Sequence, residues 1–227
     1  MERTTEQQIA YNKIAALIAK FSNEIEEIKK NQNETETRVQ FINPFFEALG
    51  WDVNSLNSDI PFSHREVVHE HKVQIDGRSK SPDYAFKIAQ KVKFFVEAKK
   101  PSVFIKMDYQ PAYQLRIYGW NAGLPVSILT DFEEFALYDC AYQPKNTDEP
   151  KTCRLKYLTY DQYLDNFDWF WSLFSRDAVA NGSLDTFISE DKKGTETVDN
   201  AFLKTLEGWR ILLAENIVLR NRKLTEE

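Results

Sequence analysis

The sequence predicts an α/β fold: a mixed sheet with helices packed over its faces. Three observations predict it. Apolar spacing switches between helical and alternating periods in the order helices, strand pair, helix, strand pair, helices. The chain of 227 residues carries 16 Phe, 10 Tyr and 5 Trp, enough aromatic bulk for a large core. Hydrophobic residues make up 42% and charged residues 28%, the balance of a globular protein in water.

Residues 5–30 read as a long helix, because Ile9, Ile14, Leu17, Ile18, Phe21, Ile25 and Ile28 recur at three- and four-residue steps. Asn31, Gln32 and Asn33 break the pattern. A second helix spans 34–49, with Val39, Phe41, Ile42, Phe45, Phe46 and Leu49 as its stripe and Gly50 as its stop. Pro44 inside it implies a kink or two short helices. Residues 51–81 look extended and irregular, with short strands around Val67, Val73 and Ile75 and a turn at Asp76-Gly77. Two clear strands follow at 83–88 and 92–98, joined by a turn near Gln90, and Pro101 ends the second.

A helix is expected over 108–121, then a turn at Gly123-Leu124-Pro125 and a second hairpin of strands 126–130 and 134–139. Residues 145–151 form a polar loop, and 160–174 a helix anchored by Trp169, Phe170, Trp171 and Phe174. Residues 181–194 mix loop and helix, and 196–220 read as a long amphipathic helix. No element visibly closes the chain after it, so continuation into a longer polypeptide is expected.

Bulk properties exclude several classes. No apolar run is long enough to cross a bilayer, and residues 1–13 lack a signal-peptide pattern. Cys140 and Cys153 have neither metal-ligand spacing nor a disulfide framework, which suits a reducing cytoplasm. The net charge of −6 is awkward for a protein that holds nucleic acid alone, because phosphate neutralisation supplies much of that affinity.

The first hairpin carries the chemistry. In an antiparallel pair, partner numbers sum to a constant, and a turn centred on Gln90 sets Asp83 opposite Glu97. Lys99 lies two residues beyond Glu97 and shares its face. Opposed like charges destabilise a sheet, so something must compensate them. A divalent cation would, since Mg²⁺ commonly takes one or two carboxylates plus water and phosphate oxygens. Asp83 and Glu97 would hold the metal, the backbone carbonyl of Ala98 would complete the coordination, and Lys99 would act as a positive donor. The competing reading is a strand end carrying solvated charges.

These residues resemble a known family. Ser81-Pro82-Asp83-Tyr84 followed by Phe95-Val96-Glu97-Ala98-Lys99-Lys100-Pro101 looks like the PD-(D/E)XK nuclease signature. The pattern is most similar to nuclease domains at the N-terminus of type IIG and single-polypeptide type I restriction–modification enzymes, and to type I restriction subunits. Glu34-Thr35-Glu36-Thr37-Arg38, leading to Pro44-Phe45-Phe46 and Leu49-Gly50-Trp51-Asp52, resembles the family's first motif. Its glutamate matches Glu34 best, with Glu36 as the competing choice. Gln114-Leu115-Arg116-Ile117-Tyr118 resembles the Gln-x-x-x-Tyr motif of RecB-like nucleases, and Gln114 and Tyr118 share a helical face. Residues 202–221, with Phe202, Trp209, Leu213 and Leu219, resemble a helix leading to a methyltransferase region.

The resemblance implies a restriction-endonuclease-like core at 31–175, a preceding helix at 1–30 and a helical extension or linker at 176–227. It implies an endonuclease cutting double-stranded DNA with Mg²⁺, for which Mn²⁺ can substitute, and places methyltransferase and target-recognition regions elsewhere in a longer chain. No methyltransferase motif occurs here. Glu34 and Gln114 join Asp83, Glu97 and Lys99 as catalytic candidates, and Tyr118, Lys100 and Arg116 as substrate-positioning ones. Lys99, Lys100, Lys106 and Arg116 suggest a basic rim for phosphates. His64, His69 and His71 lie close in sequence, but no further Cys or His completes a zinc set. The alternatives are a non-catalytic DNA-binding or docking module, and an RNA- or structure-specific nuclease.

Overall fold

The computed structural model describes residues 3–54, 60–75 and 78–191, together with Leu206, Trp209, Arg210 and Leu213. The chain divides into two compact units, 1–188 and 189–227. In the second unit the four separate residues just named are helical; the rest of the expected 196–220 helix lies outside the described residues, as does the Asp76-Gly77 turn.

The first unit opens with α1 (Thr5–Asn31), whose N-terminus Thr4 and Gln7 close in a reciprocal capping box. Asn33 caps α2 (Glu34–Thr37), which runs through a π-helical turn (Arg38–Ile42) into α3 (Asn43–Ala48). Pro44 sits in the first turn of α3, so the expected interruption is a π turn followed by a restart. Short strands β1 (Val67–His69), β2 (Val73–Ile75) and β3 (Arg78–Lys80) precede the hairpin of β4 (Tyr84–Ile88) and β5 (Lys91–Ala98). Then come α4 (Tyr109–Asn121), β6 (Val126–Thr130), β7 (Glu134–Asp139) and β8 (Arg154–Thr159). The expected 160–174 helix is a 3-10 turn (Tyr160–Gln162) and then α5 (Phe167–Phe174), followed by α6 (Arg176–Ala180) and α7 (Ser183–Asp191).

Six strands form one sheet in the order β1-β4-β5-β6-β7-β8, and β2-β3 form a separate ribbon. Only β5 and β6 pair in parallel within the sheet, and α4 is the crossover such a pair needs. This is the mixed, helix-flanked sheet expected of a restriction-endonuclease-like fold.

Strand alternation sends side chains to two cores. Tyr84, Phe86, Phe94, Val96, Ala98, Ile128 and Phe135 face one, with Phe21 of α1, Phe41, Phe46 and Phe170. Ala85, Phe95, Leu129 and Tyr138 face the other, with Leu115 and Tyr118 of α4. Phe86 and Phe94 stack at 4.5 Å between centroids, and Trp51 meets both edge-on. Trp51 is a core residue; its indole N–H donates to the Phe174 carbonyl. α1 therefore belongs to the same core as the sheet.

Register fixes the site. Ala89 and Gln90 both take positive φ, 47° and 68°, as a two-residue primed hairpin turn requires. Next to this turn Ile88 pairs with Lys91, so partner numbers sum to 179 there. A bulge beyond Lys87 changes the pairing to Phe86 with Phe94 and Tyr84 with Val96, which sum to 180. Continued one step, the register sets Asp83 opposite Glu97. Without the bulge Asp83 would oppose Val96, whose side chain enters the other core.

Candidate active site

Glu97 is the third residue after Phe94 on β5, and alternation turns it to the α4 side of the sheet. Its side chain is almost fully buried, 3% exposed. Glu97 Oε1 accepts from Lys99 Nζ at 2.8 Å and from Gln114 Nε2 at 2.9 Å. Glu97 Oε2 is buried without a hydrogen-bond partner. Burial and the neighbouring Asp83 push the carboxyl up to about 7, against the opposing pull of Lys99.

Asp83 stands just before β4. Its Oδ2 accepts from the Ala98 N–H at 2.7 Å, and its Oδ1 lies 3.3 Å from Arg38 Nη1. The two expected carboxylates thus meet at one end of the β4–β5 pair, and Ala98 ties them through its amide.

Glu34 lies in the first turn of α2, where its Oε2 comes within 3.9 Å of Lys99 Nζ. Burial and Asp83 raise its pKa, while Lys99 and Arg38 lower it. Glu36 instead reaches back to the Asn33 N–H and closes the helix cap. Of the two glutamates, Glu34 is the one that faces Lys99. Burial alone would lower the Lys99 pKa, but Glu97, Glu34 and Asp83 outweigh it and raise it.

Gln114 and Tyr118 share one face of α4, as their spacing requires, and Gln114 Nε2 donates to both Glu97 and the Tyr118 hydroxyl, 2.8 Å away. Tyr118 is 3% exposed and packed in the second core. Its hydroxyl meets Gln114, which meets Glu97, so Tyr118 reaches the carboxylate cluster through Gln114.

Arg116 departs from expectation. It is 2% exposed and donates to Asp148 Oδ2 at 2.7 Å and to Cys153 Sγ at 3.3 Å. A guanidinium so enclosed cannot belong to a basic rim. Two helical positions from Gln114, it faces elsewhere, a signal the spacing already contained. Lys100 and Lys106 are exposed, and neither forms an ion pair among the described residues.

Arg38 closes the stretch that resembles the first motif, and nothing in the sequence assigns it a role. Four residues after Glu34, it donates to Asp83, to the Tyr84 hydroxyl (3.1 Å) and toward His69 Nδ1 (3.1 Å). His69 Nε2 meets the Val53 carbonyl, while His64 bonds Ser63 and Gln90. The three histidines do not converge. Cys140 and Cys153 form no disulfide, and burial pushes the Cys140 thiol up to about 12.

Among the described residues no three acidic, His or Cys side chains already surround one point as a metal cage. Mg²⁺ does not need such a cage, because water and phosphate oxygens fill most of its shell. The donor set fits it: two opposed carboxylates, one with an unpartnered buried oxygen. Among the described residues, Glu34, Asp83 and Glu97 form ion pairs with Lys99 and Arg38, so with all three acids ionised the cluster carries an excess negative charge.

Over 221 residues, 95% of this chain, the sequence is 37% identical to the type II restriction enzyme and methyltransferase RM.Eco57I of Escherichia coli. The aligned part is 22% of that protein, so the chain spans about a fifth of its relative's length. No protein-family model and no solved structure matches the chain. Among the described residues no helix is long and apolar enough to cross a membrane.

Proposed function

We propose that this chain is the nuclease part of a restriction–modification polypeptide, a Mg²⁺-dependent endonuclease domain of the PD-(D/E)XK type that hydrolyses DNA phosphodiester bonds. One observation carries the reading: Glu97, buried opposite Asp83, has an oxygen with no hydrogen-bond partner and a lysine ammonium 2.8 Å from the other. The similarity to a restriction enzyme and methyltransferase over nearly the whole chain agrees with it.

Glu97 and Asp83 are the residues to hold the cation, with Mn²⁺ able to substitute; the Ala98 carbonyl is a further oxygen beside them. The chemistry supplied by Mg²⁺, when bound, is charge neutralisation at phosphate oxygens and acidification of a water. Lys99 offers an ammonium to a non-bridging phosphate oxygen or to the attacking water. Gln114 keeps Glu97 in one rotamer, Tyr118 keeps Gln114, and Arg38 keeps Asp83. Glu34 contributes a third carboxylate that draws Lys99 toward the site.

The partner is double-stranded DNA. Target recognition and methyl transfer belong to other parts of a longer chain, in keeping with a net charge of −6 here. Replacing Asp83 or Lys99 by Ala in the full-length polypeptide abolishes cleavage of duplex DNA while the protein stays folded by circular dichroism. Cutting that survives both replacements refutes the assignment.

One observation favours a non-catalytic module. Both Asp83 oxygens and Glu97 Oε1 already have protein partners, a network that could be purely structural. Calorimetry with millimolar Mn²⁺ separates the readings: heat of binding that Glu97→Gln removes belongs to the nuclease alone.

A further inference from the structure

The two most exposed large apolar side chains among the described residues lie on one loop. Phe104 is 76% exposed and Met107 74%. A single exposed apolar residue is ordinary; two on the loop that leaves Lys99 are not. The loop is held firmly. Ile105, between them, is fully buried and its N–H donates to buried Glu134 at 2.7 Å. The Lys106 carbonyl accepts from Arg154 at 2.9 Å, and Met107 N–H closes a turn onto the Phe104 carbonyl at 3.1 Å. Phe104 and Met107 therefore point outward from a pinned backbone.

Their place in the fold matters. The loop starts at the end of β5 beside Lys99 and runs into α4, which carries Gln114. Phe104 is five residues from Lys99, a reach of less than about 18 Å. Exposed Lys100 and Lys106 flank it. Asp108, the one acid on the loop, is engaged in capping α4.

We infer that this loop is a wedge that contacts duplex DNA, with Phe104 and Met107 entering a groove beside the cleavage site and Lys100 and Lys106 on the flanking phosphates. The inference rests on the nuclease reading of the adjacent site. Apolar side chains bordered by cations match a minor-groove wedge, in which an apolar side chain enters between base steps, partly unstacking them, while cations meet the phosphates along the rim. A protein is the competing occupant, because Phe and Met are enriched in protein interfaces; the two flanking lysines, depleted there, favour DNA.

The test uses the full-length polypeptide and plasmid DNA, with anisotropy of a labelled duplex in Ca²⁺ as a second readout. The double variant Phe104→Ala/Met107→Ala weakens duplex binding and raises KM by roughly tenfold or more, with the salt slope of binding unchanged. Lys100→Gln/Lys106→Gln instead lowers that slope by about two. If the wild type cuts and the apolar double variant matches it in KM and affinity, the wedge is wrong and the nuclease reading stands. A wild type that binds duplex but cuts no DNA defeats the nuclease reading, and the anisotropy comparison still decides the wedge. Unchanged DNA binding with new protease sensitivity between this domain and the rest of the chain assigns the loop to protein docking and overturns the inference.

Discussion

Glu97→Gln should stabilise the metal-free protein while destroying its activity. A carboxyl that titrates near 7 in the fold, against an ordinary 4.5, is costly to ionise there. At about 1.36 kcal/mol per tenfold change in proton affinity, the penalty approaches about 3 kcal/mol once both states are ionised. The sign follows from proton binding. The folded state holds this proton more tightly than the unfolded one, so the penalty is absent below 4.5. It grows as pH rises from 4.5 to 7 and is complete above 7.

Glutamine keeps the shape and the acceptor for Lys99 and Gln114 but carries no charge. Two effects reduce the gain: Lys99 loses its nearest counter-ion, and the new amide stands where Oε2 already lacks a partner. A net gain of about 1–3 kcal/mol remains, or about 3–10 °C in Tm for a chain of this size. Thermal melts in EDTA at pH 8 and pH 5 measure it, and the difference between variant and wild type should shrink at pH 5. Millimolar Mg²⁺ should raise the wild-type Tm and leave the variant's unchanged. A variant that melts at or below the wild type at pH 8 refutes the claim that ionised Glu97 is held at a cost.

Two further outcomes follow from the same packing. Arg38→Ala removes the donor to Asp83 and should cut the cleavage rate by about 10–100-fold while raising the Mg²⁺ concentration needed, measured by metal titration of plasmid cleavage. Gly119→Ala sets a Cβ 2.4 Å from Cys140 Sγ and 2.7 Å from Cys140 Cβ; urea melts should show a loss of about 1–3 kcal/mol.

The hairpin was legible because alternation and turn position are properties of the chain itself. The paired sum of 180 holds at the site for a reason the sequence hides. The turn is centred half a residue before Gln90, and the bulge beyond Lys87 supplies the missing step. β8 escaped notice because Arg154 and Lys156 interrupt its apolar pattern, and as an edge strand it is mostly half-buried. Glu34 and Glu36 were separable only once the cap formed, since either acid suits a first helical turn. Arg38 was illegible for a different reason. Its reach to Asp83 starts from a π turn and joins residues 45 positions apart in sequence, which no local pattern displays. Arg116 suits a basic rim by charge alone, but its helical direction turns it inward to Asp148.

The placement of cost and gain fits an acidic chain to the task proposed for it. Aromatic packing on both faces of the sheet stabilises the fold, and the penalty is confined to one end, where Glu34, Asp83 and Glu97 outnumber Lys99 and Arg38. On the proposed reading, such a cluster repels phosphate until a cation enters, so metal and DNA would bind as cooperating ligands. With a net charge of −6 the domain has little long-range attraction for DNA. If the chain is the nuclease part of a longer polypeptide, as proposed, cutting depends on whatever else in that polypeptide grips the duplex, and the domain acts only where recognition has delivered it.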